Sequence, residues 1–397
     1  MSLFSRTDRS AFGQWWWTVD RAMMAGFFGL AICGIVLVAT ASPPVAERIG
    51  APYYHFLIRH VIVLVPTLFM LVGLSMLNRK FVRRVATLVF FGSLLAMVSV
   101  LFVGEEIKGA TRWIHLGGFS LQPSEFVKPA FAIMSAWMMA LQKKNQRFQG
   151  IVVATGFYFV TVALLLLQPD FGMTFLVTGI WVAQICLAGI PFRLLALLSV
   201  LIVGGVFGAY YTFGHVQSRI DRYLDPASGD NYQIEKSLEA FQNGGFIGTG
   251  LGQGTVKMSL PDGHADFIFS VAGEEMGLVF AWMIIGTYCF ILLRGYQRLM
   301  DTDDMFVVLA VGGLLSGFGL QAMVHMGSSL NLFPAKGMTL PFISYGGSSL
   351  LSMGYAMGML LALTRRRARS GIARAGLSSR PSVHPPSVPE RTQGEVV

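Results

Sequence analysis

The chain is short of charge. Only 13% of its 397 residues are Asp, Glu, Lys or Arg, while 54% are hydrophobic and the mean hydropathy is +0.59. A soluble globular chain carries about twice that charged share, roughly 25%, so the composition excludes an ordinary soluble domain. Cysteine is scarce too. Cys33, Cys186 and Cys289 each lie inside an apolar run, which excludes a disulfide framework and offers no metal-ligand spacing. Nor do the first 21 residues hold the short apolar core and small-residue cleavage site of a secretory signal, so the first apolar run reads as a retained helix. The net charge of +9 does not point to nucleic acid. Its basic residues flank apolar segments, as NRKFVRR (78–84), KKNQR (143–147) and RRRAR (365–369), a placement that suits anionic headgroups and topology setting.

Apolar stretches near 20 residues recur along the whole length, at roughly 22–41, 58–77, 85–103, 125–142, 150–167, 172–189, 193–214, 267–293, 305–326 and 347–364. Each is long enough for a helix to cross the hydrocarbon, and all are continuously apolar rather than alternating, which favours helices over a barrel. The expected fold is an all-α polytopic membrane protein of ten transmembrane helices. A cytoplasmic N-terminus puts 20 of the 30 basic residues inside, so both termini are expected in the cytoplasm. Residues 1–21 then form a cytoplasmic segment, with Trp15–Trp17 as an interfacial anchor, and 22–364 the membrane domain. The segment 365–397, rich in Arg, Ser and Pro, is expected to be a disordered tail. The 52-residue loop 215–266, between the seventh and eighth spans, is too long for a mere connection. Within it NYQIEKSLEAFQNGG (231–245) has helical apolar spacing and is expected to lie on the outer leaflet.

Two motifs mislead. GTGLGQGT (248–255) follows no strand and opens no βαβ unit, so it reads as a turn that brings backbone close to another element. DFG at 170–172 stands without any other kinase motif. More telling are the ionisable residues at the outer ends of spans, because stranding charge in lipid is costly. In RWIHLGGFSLQPSEFVK (112–128), Ser124 is the expected N-cap of the fourth span, and Glu125 and Lys128 share a helix face. They read as a helix-end ion pair or as a pair lining an outward cavity. In LPDGHADFIFSVAGEEMG (260–277), Asp266 falls at the mouth of the eighth span, as an N-cap or as a base at the rim of a cavity. Glu274 lies nearly in line below it, about 12 Å deeper, with Glu275 beside it.

These motifs, with QPDFG (168–172) and FPAKGMTLPFISYGGSSLLS (333–352), resemble the SEDS proteins (shape, elongation, division and sporulation) over almost all of 15–366. The last motif is closer to the division members than to the elongation members, and WWWTVDR (15–21) to alphaproteobacterial versions. The resemblance implies a ten-span glycosyltransferase that polymerises lipid II into peptidoglycan strands, with Asp266 as its essential carboxylate. It also implies a class B penicillin-binding protein as partner, among other division proteins of the inner membrane at the septum. Two positions depart from the division pattern, Met258 in place of an acid and Asp262 in place of Glu.

On this reading Asp266 is the general base. Cations offset the charge developing on a diphosphate leaving group, the candidates being Lys128, Arg112, Arg219 and Lys257, helped by a divalent ion such as Mg²⁺ or Mn²⁺. His264, Glu274, Ser344, Gly346 and Gly347 complete the expected substrate contacts, alongside Glu125. A lipid II flippase and a non-catalytic scaffold are the rival readings. A flippase would spread ionisable groups through the bilayer depth, whereas here they crowd one half.

Overall fold

Backbone in hydrocarbon must satisfy its own hydrogen bonds, and the long apolar runs do so as helices. The computed structural model describes residues 10–366, apart from 105, 108–109, 117–118, 334–336 and most of 190–231. The helices are α1 (Ala11–Thr18), α2 (Arg21–Ala41), α3 (Pro43–Arg48), α4 (His55–Ser75), α5 (Arg79–Val103), α6 (Pro123–Lys144), α7 (Gly150–Leu167), α8 (Phe171–Leu187), α9 (Tyr232–Gly244), α10 (Ile268–Met300), α11 (Met305–Ser329) and α12 (Gly347–Thr364). Two short antiparallel hairpins join α5 to α6: β1 (Glu106–Ile107) with β2 (Ala110–Thr111), and β3 (Ile114–Leu116) with β4 (Phe119–Leu121).

Nine of the ten expected spans coincide with helices; the seventh, 193–214, lies largely outside the described residues, as does the tail beyond 366. Seven of the described helices are long and apolar enough to cross a membrane, which makes this a multi-pass membrane protein. The side chains of Asp20, Asn78, Asp170 and Asp304 cap α2, α5, α8 and α11 by accepting N–H bonds from their first turns, which satisfies donors that a helix leaves orphaned. Ser124 does not play that part. Pro123 takes the first helical position of α6, where its missing N–H costs nothing, and Gln122 occupies the cap without a side-chain bond.

The centre of the bundle is α12, buried along nearly its whole length, with α6 and α11 beside it. Outward faces of α4, α5 and α7 show exposed Phe69, Leu88, Leu95 and Val152, as lipid-facing helices should. Cross-links sort to two ends. At one end Arg294 and Arg298 hold Asp20, Arg79 holds Asp304, and Arg365 reaches Thr18 and Met76. Trp15 belongs to this end as a core residue, not an interfacial anchor: it is 3% exposed and its Nε1 donates to Ser75 Oγ at 2.8 Å. Trp16 and Trp17 are half-buried, with the Arg21 guanidinium over both rings. At the other end lie the hairpins, the turn at 168–170 and the segment 245–267.

Two departures from regular helix shape that second end. Gly277 (φ 76°, ψ 179°) breaks α10, a conformation open to glycine alone. The break frees carbonyls above it and amides below it, and the glycine-rich segment upstream satisfies both. Thr249 N donates to Glu274 O at 2.9 Å and Gly250 N to Glu275 O at 2.9 Å, while Leu278 N donates to Gly245 O at 3.0 Å. This is the element that the GTGLGQGT backbone approaches. The helix expected at 231–245 is α9, and it docks on protein: Ser237, Ala240 and Gly244 are buried, and Ser237 Oγ bonds Ser270 Oγ and Ser329 O, both at 2.6 Å.

The second departure is 338–346, which enters the bundle between α11 and α12 without forming a helix. Irregular backbone at that depth needs partners from neighbouring elements. Tyr288 Oη donates to Pro341 O at 2.6 Å, Ser344 Oγ accepts from Leu340 N at 2.8 Å, and His325 Nδ1 lies 2.6 Å from Met338 O.

Candidate active site

Residues 261–267 form consecutive turns above α10, and Asp266 sits in the last of them. It does not cap the helix: that position belongs to Phe267, which offers no side-chain cap. Asp266 N donates to Asp262 O at 3.0 Å, and its half-exposed carboxylate faces the entering segment, where a Cβ added at Gly337 would stand 3.6 Å from Oδ2. The loop is pinned from the same side. Ser344 Oγ donates to Ala265 O at 2.8 Å and Tyr345 N to His264 O at 3.1 Å. The His264 ring packs 4.3 Å from Phe56 and 5.2 Å from Tyr345. Burial holds its pKa down at about 4 although nearby Asp262 pulls it up, so the imidazole is neutral at pH 7.

Across the entering segment lies the second polar group. Lys128 Nζ is 2.7 Å from Glu125 Oε2 and donates to Gln321 Oε1 at 2.8 Å. Gln321 Nε2 in turn donates to Thr339 O at 3.0 Å, and Thr339 Oγ1 bonds Ser349 Oγ at 2.6 Å. Glu125 and Lys128 are both buried, so the pair is compensated charge inside the bundle rather than a solvated helix end. Ser352 Oγ on α12 donates to Glu125 O at 2.7 Å. Gly346 packs on Thr339, where a Cβ would come within 2.9 Å of Cγ2, and Gly347 opens α12. Ser344, Gly346 and Gly347 thus lie in one segment, 337–349, which His264 and Asp266 meet directly and Glu125 and Lys128 reach through Gln321.

Three other expected residues are engaged elsewhere. Glu274 is not a second carboxylate of this site: its Oε1 accepts from Val256 N at 2.7 Å and Asn243 Nδ2 at 2.8 Å, and its Oε2 from Lys257 N at 2.9 Å. It anchors the turn Val256–Met258. Lys257 pairs with buried Glu275 and donates to Thr40 O on α2 at 2.9 Å, which leaves it a structural clasp. Arg112 donates from Nε to Gln168 O at 3.1 Å and also bonds Pro169 O, with Asp170 at 3.9 Å, so it braces the QPDFG turn while its side chain stays partly exposed. Arg219 lies outside the described residues.

Gln321, His325, Thr339, Ser349 and Tyr345 escaped the sequence reading. A signal was there for two of them: Gln321 and His325 stand four apart, on one face of an otherwise apolar run. Among the described residues no three His, Cys, Asp or Glu side chains converge as metal ligands. A divalent ion at Asp266 would draw its other ligands from substrate phosphate and water, as Mg²⁺ commonly does.

A buried polar network lies beside a half-exposed carboxylate at one end of an apolar, membrane-spanning helical bundle. The chain belongs to the FtsW/RodA/SpoVE family of cell cycle proteins, whose model matches residues 21–369. Its relatives include a probable peptidoglycan glycosyltransferase FtsW from Caulobacter vibrioides, 42% identical over 92% of this chain and 94% of that protein. Another, from Trichlorobacter lovleyi, is 36% identical over 86% of this chain and 92% of its own length. The expected kinship with division members, alphaproteobacterial ones included, is met by the first of these. A chain in a peptidoglycan synthase complex that coordinates polymerization and crosslinking shares the fold with a TM-score of 0.72 and 26% identity, over 87% of this chain and 97% of that one. The rod shape determining protein RodA of Thermus thermophilus does so at 0.65 and 25%, over 88% and 97%.

Proposed function

We propose that this chain is a peptidoglycan glycosyltransferase that polymerises lipid II at the outer face of the cytoplasmic membrane, during septal wall synthesis, with Asp266 as general base. The observation that carries this reading is the placement of Asp266: half-exposed, on a loop pinned by Ser344 and Tyr345, and facing the segment that holds the Lys128 network. In the reaction the acceptor's 4-hydroxyl oxygen bonds to the donor's anomeric carbon, and its proton passes to Asp266. The bond from that carbon to the undecaprenyl diphosphate breaks, and the diphosphate leaves with the electron pair. Its oxygens need no proton at neutral pH, so the complementary task is to offset negative charge. Lys128 is the cation best placed for that among the described residues, held ready by Glu125 and Gln321. A lipid-linked substrate enters sideways between helices while its sugars stay in water, which explains why a sugar transferase is built of apolar helices. The end bearing Asp266 is then the outer one, and a class B penicillin-binding protein receives the glycan product.

The test is polymerisation of purified lipid II by wild type and Asp266→Asn, each with and without the cognate transpeptidase. Loss of about 10²–10⁴-fold in turnover is expected for the variant, with its thermal unfolding unchanged. Equal polymer from both would strip Asp266 of the role, and no polymer from either, partner included, would leave a flippase or scaffold.

A further inference from the structure

At the end of the bundle away from Asp266, the first turns of α5, the last turns of α6 and the start of α11 enclose a cavity of about 220 Å³. Arg83, Lys143 and Lys144 line it. The Arg83 guanidinium lies over two rings, 5.4 Å from the Trp137 centroid and 5.3 Å from that of Phe306. Its Nε reaches Arg79 O at 3.3 Å, and no carboxylate among the described residues pairs with it. Asp304 is already committed, to Arg79 and to the Phe306 amide that it caps. The wall therefore holds three cations against Asp303, which has other interactions of its own.

A half-buried guanidinium with no carboxylate partner among the described residues, beside two lysines in the same wall, asks for an anion with several oxygens. Next to the pocket, α5 turns exposed Phe91, Leu95 and Val98 outward, beginning two turns below Arg83. A headgroup in the pocket would leave its acyl chains along that apolar face, where a free anion would gain nothing. Basic pockets between membrane helices bind anionic headgroups on this principle.

We propose that this pocket is a binding site for the phosphodiester headgroup of an anionic phospholipid. The site is independent of the catalytic reading, and glycan synthesis is not its readout. The experiment uses the full chain in nanodiscs of phosphatidylcholine doped with phosphatidylglycerol or cardiolipin. Retained lipid is counted by native mass spectrometry, and thermal unfolding is followed in parallel. Anionic lipid is expected to be retained and to raise the melting temperature over phosphatidylcholine alone. Arg83→Gln should lower retention about fivefold, the worth of one cation near a membrane surface. Lys143→Gln, at a second cation of the wall, should lower it as well, and Asp303→Asn should raise it. Arg84→Gln changes an exposed neighbour over Phe81, outside the pocket, and should leave retention unchanged. Equal retention by wild type, Arg83→Gln and Lys143→Gln would overturn the proposal, as would an equal loss in Arg84→Gln, which marks unspecific charge attraction. Displacement of the lipid by millimolar inorganic phosphate would show that a free anion is the ligand, and would overturn it too.

Discussion

Lys128 and Gln321 are joined by a bond of 2.8 Å from ammonium to amide oxygen, and the amide's nitrogen is spent on Thr339 O. Both ends of the Gln321 amide are thus in use, one toward a buried cation and one toward the segment that faces Asp266. Gln321→Glu keeps an acceptor for Lys128 but turns a second oxygen on the Thr339 carbonyl. The expected cost is about 1–3 kcal/mol of lost hydrogen bonding, which, felt in full by the transition state, is roughly a five- to 150-fold fall in turnover. Steady-state kinetics on lipid II check this, with KM expected to move less than kcat. A variant as fast as wild type would show that Lys128 needs no such support.

Glu274 uses both carboxylate oxygens to receive backbone N–H groups from the turn at 256–258. Gln offers one acceptor oxygen and sets an NH₂ against the other donor. Glu274→Gln is therefore expected to destabilise the protein by about 1–3 kcal/mol and to open 245–259 to proteolysis, while Glu274→Asp falls short of both amides. Limited proteolysis read by mass spectrometry decides it. Cleavage confined to other loops would mean that the docking of α9 alone holds this segment.

At Gly277 two obstacles meet any side chain. The φ of 76° strains an L-residue, and a Cβ would collide with Phe246 O and lie 2.5 Å from Gly248 N. Gly277→Ala should thus cost more than the roughly 1 kcal/mol of an ordinary glycine replacement at positive φ, because the sealing bonds at 245–250 must part as well. A melting temperature lowered in step with faster amide exchange at Thr249 and Gly250 is the expected result, and unaltered exchange there would contradict it.

His264 makes stability depend on acid. Burial keeps its folded pKa near 4 against an ordinary 6.5, with Asp262 opposing. Between those values the unfolded chain binds the proton that the folded one excludes. The contribution of the neutral ring is complete above pH 6.5 and is lost as pH falls toward 4, at up to about 1.4 kcal/mol per unit. His264→Phe stays among Phe56 and Tyr345 without titrating, so its melting temperature should fall less than that of wild type from pH 6.5 to 4. Parallel curves would assign the acid sensitivity to other groups.

How far the sequence could be read differs by element. The tenth span, expected at 347–364, is α12 to the residue, because two glycines open it and a run of arginines ends it. The start of α6 was misread by its cap, since Pro123 competes for helix entry ahead of Ser124. The break at Gly277 left no trace in hydropathy: the apolar run continues through it, and the atoms that seal it lie about 30 residues upstream. For the same reason Glu274, in line with Asp266 on a helical projection, looked like a second carboxylate of the site. Spacing along one helix is visible in a sequence, but the turn that claims Glu274 comes from another piece of chain. Gln321 and His325 were passed over inside an apolar segment whose hydropathy masks two polar residues on one face.

The entering segment 338–346 has a consequence for the birth of the protein. The loop of Asp266 is clamped by Ser344 and Tyr345, and Lys128 is oriented by Gln321, which leans on Thr339 and Ser349. Each of these supports is synthesised after the carboxylate and the ammonium they arrange. On the reading of Asp266 and Lys128 as the reacting groups, a nascent chain carries them without their geometry until α12 has entered the bilayer. On the same reading, chains truncated ahead of α12 by a failed round of translation would be silent rather than unregulated.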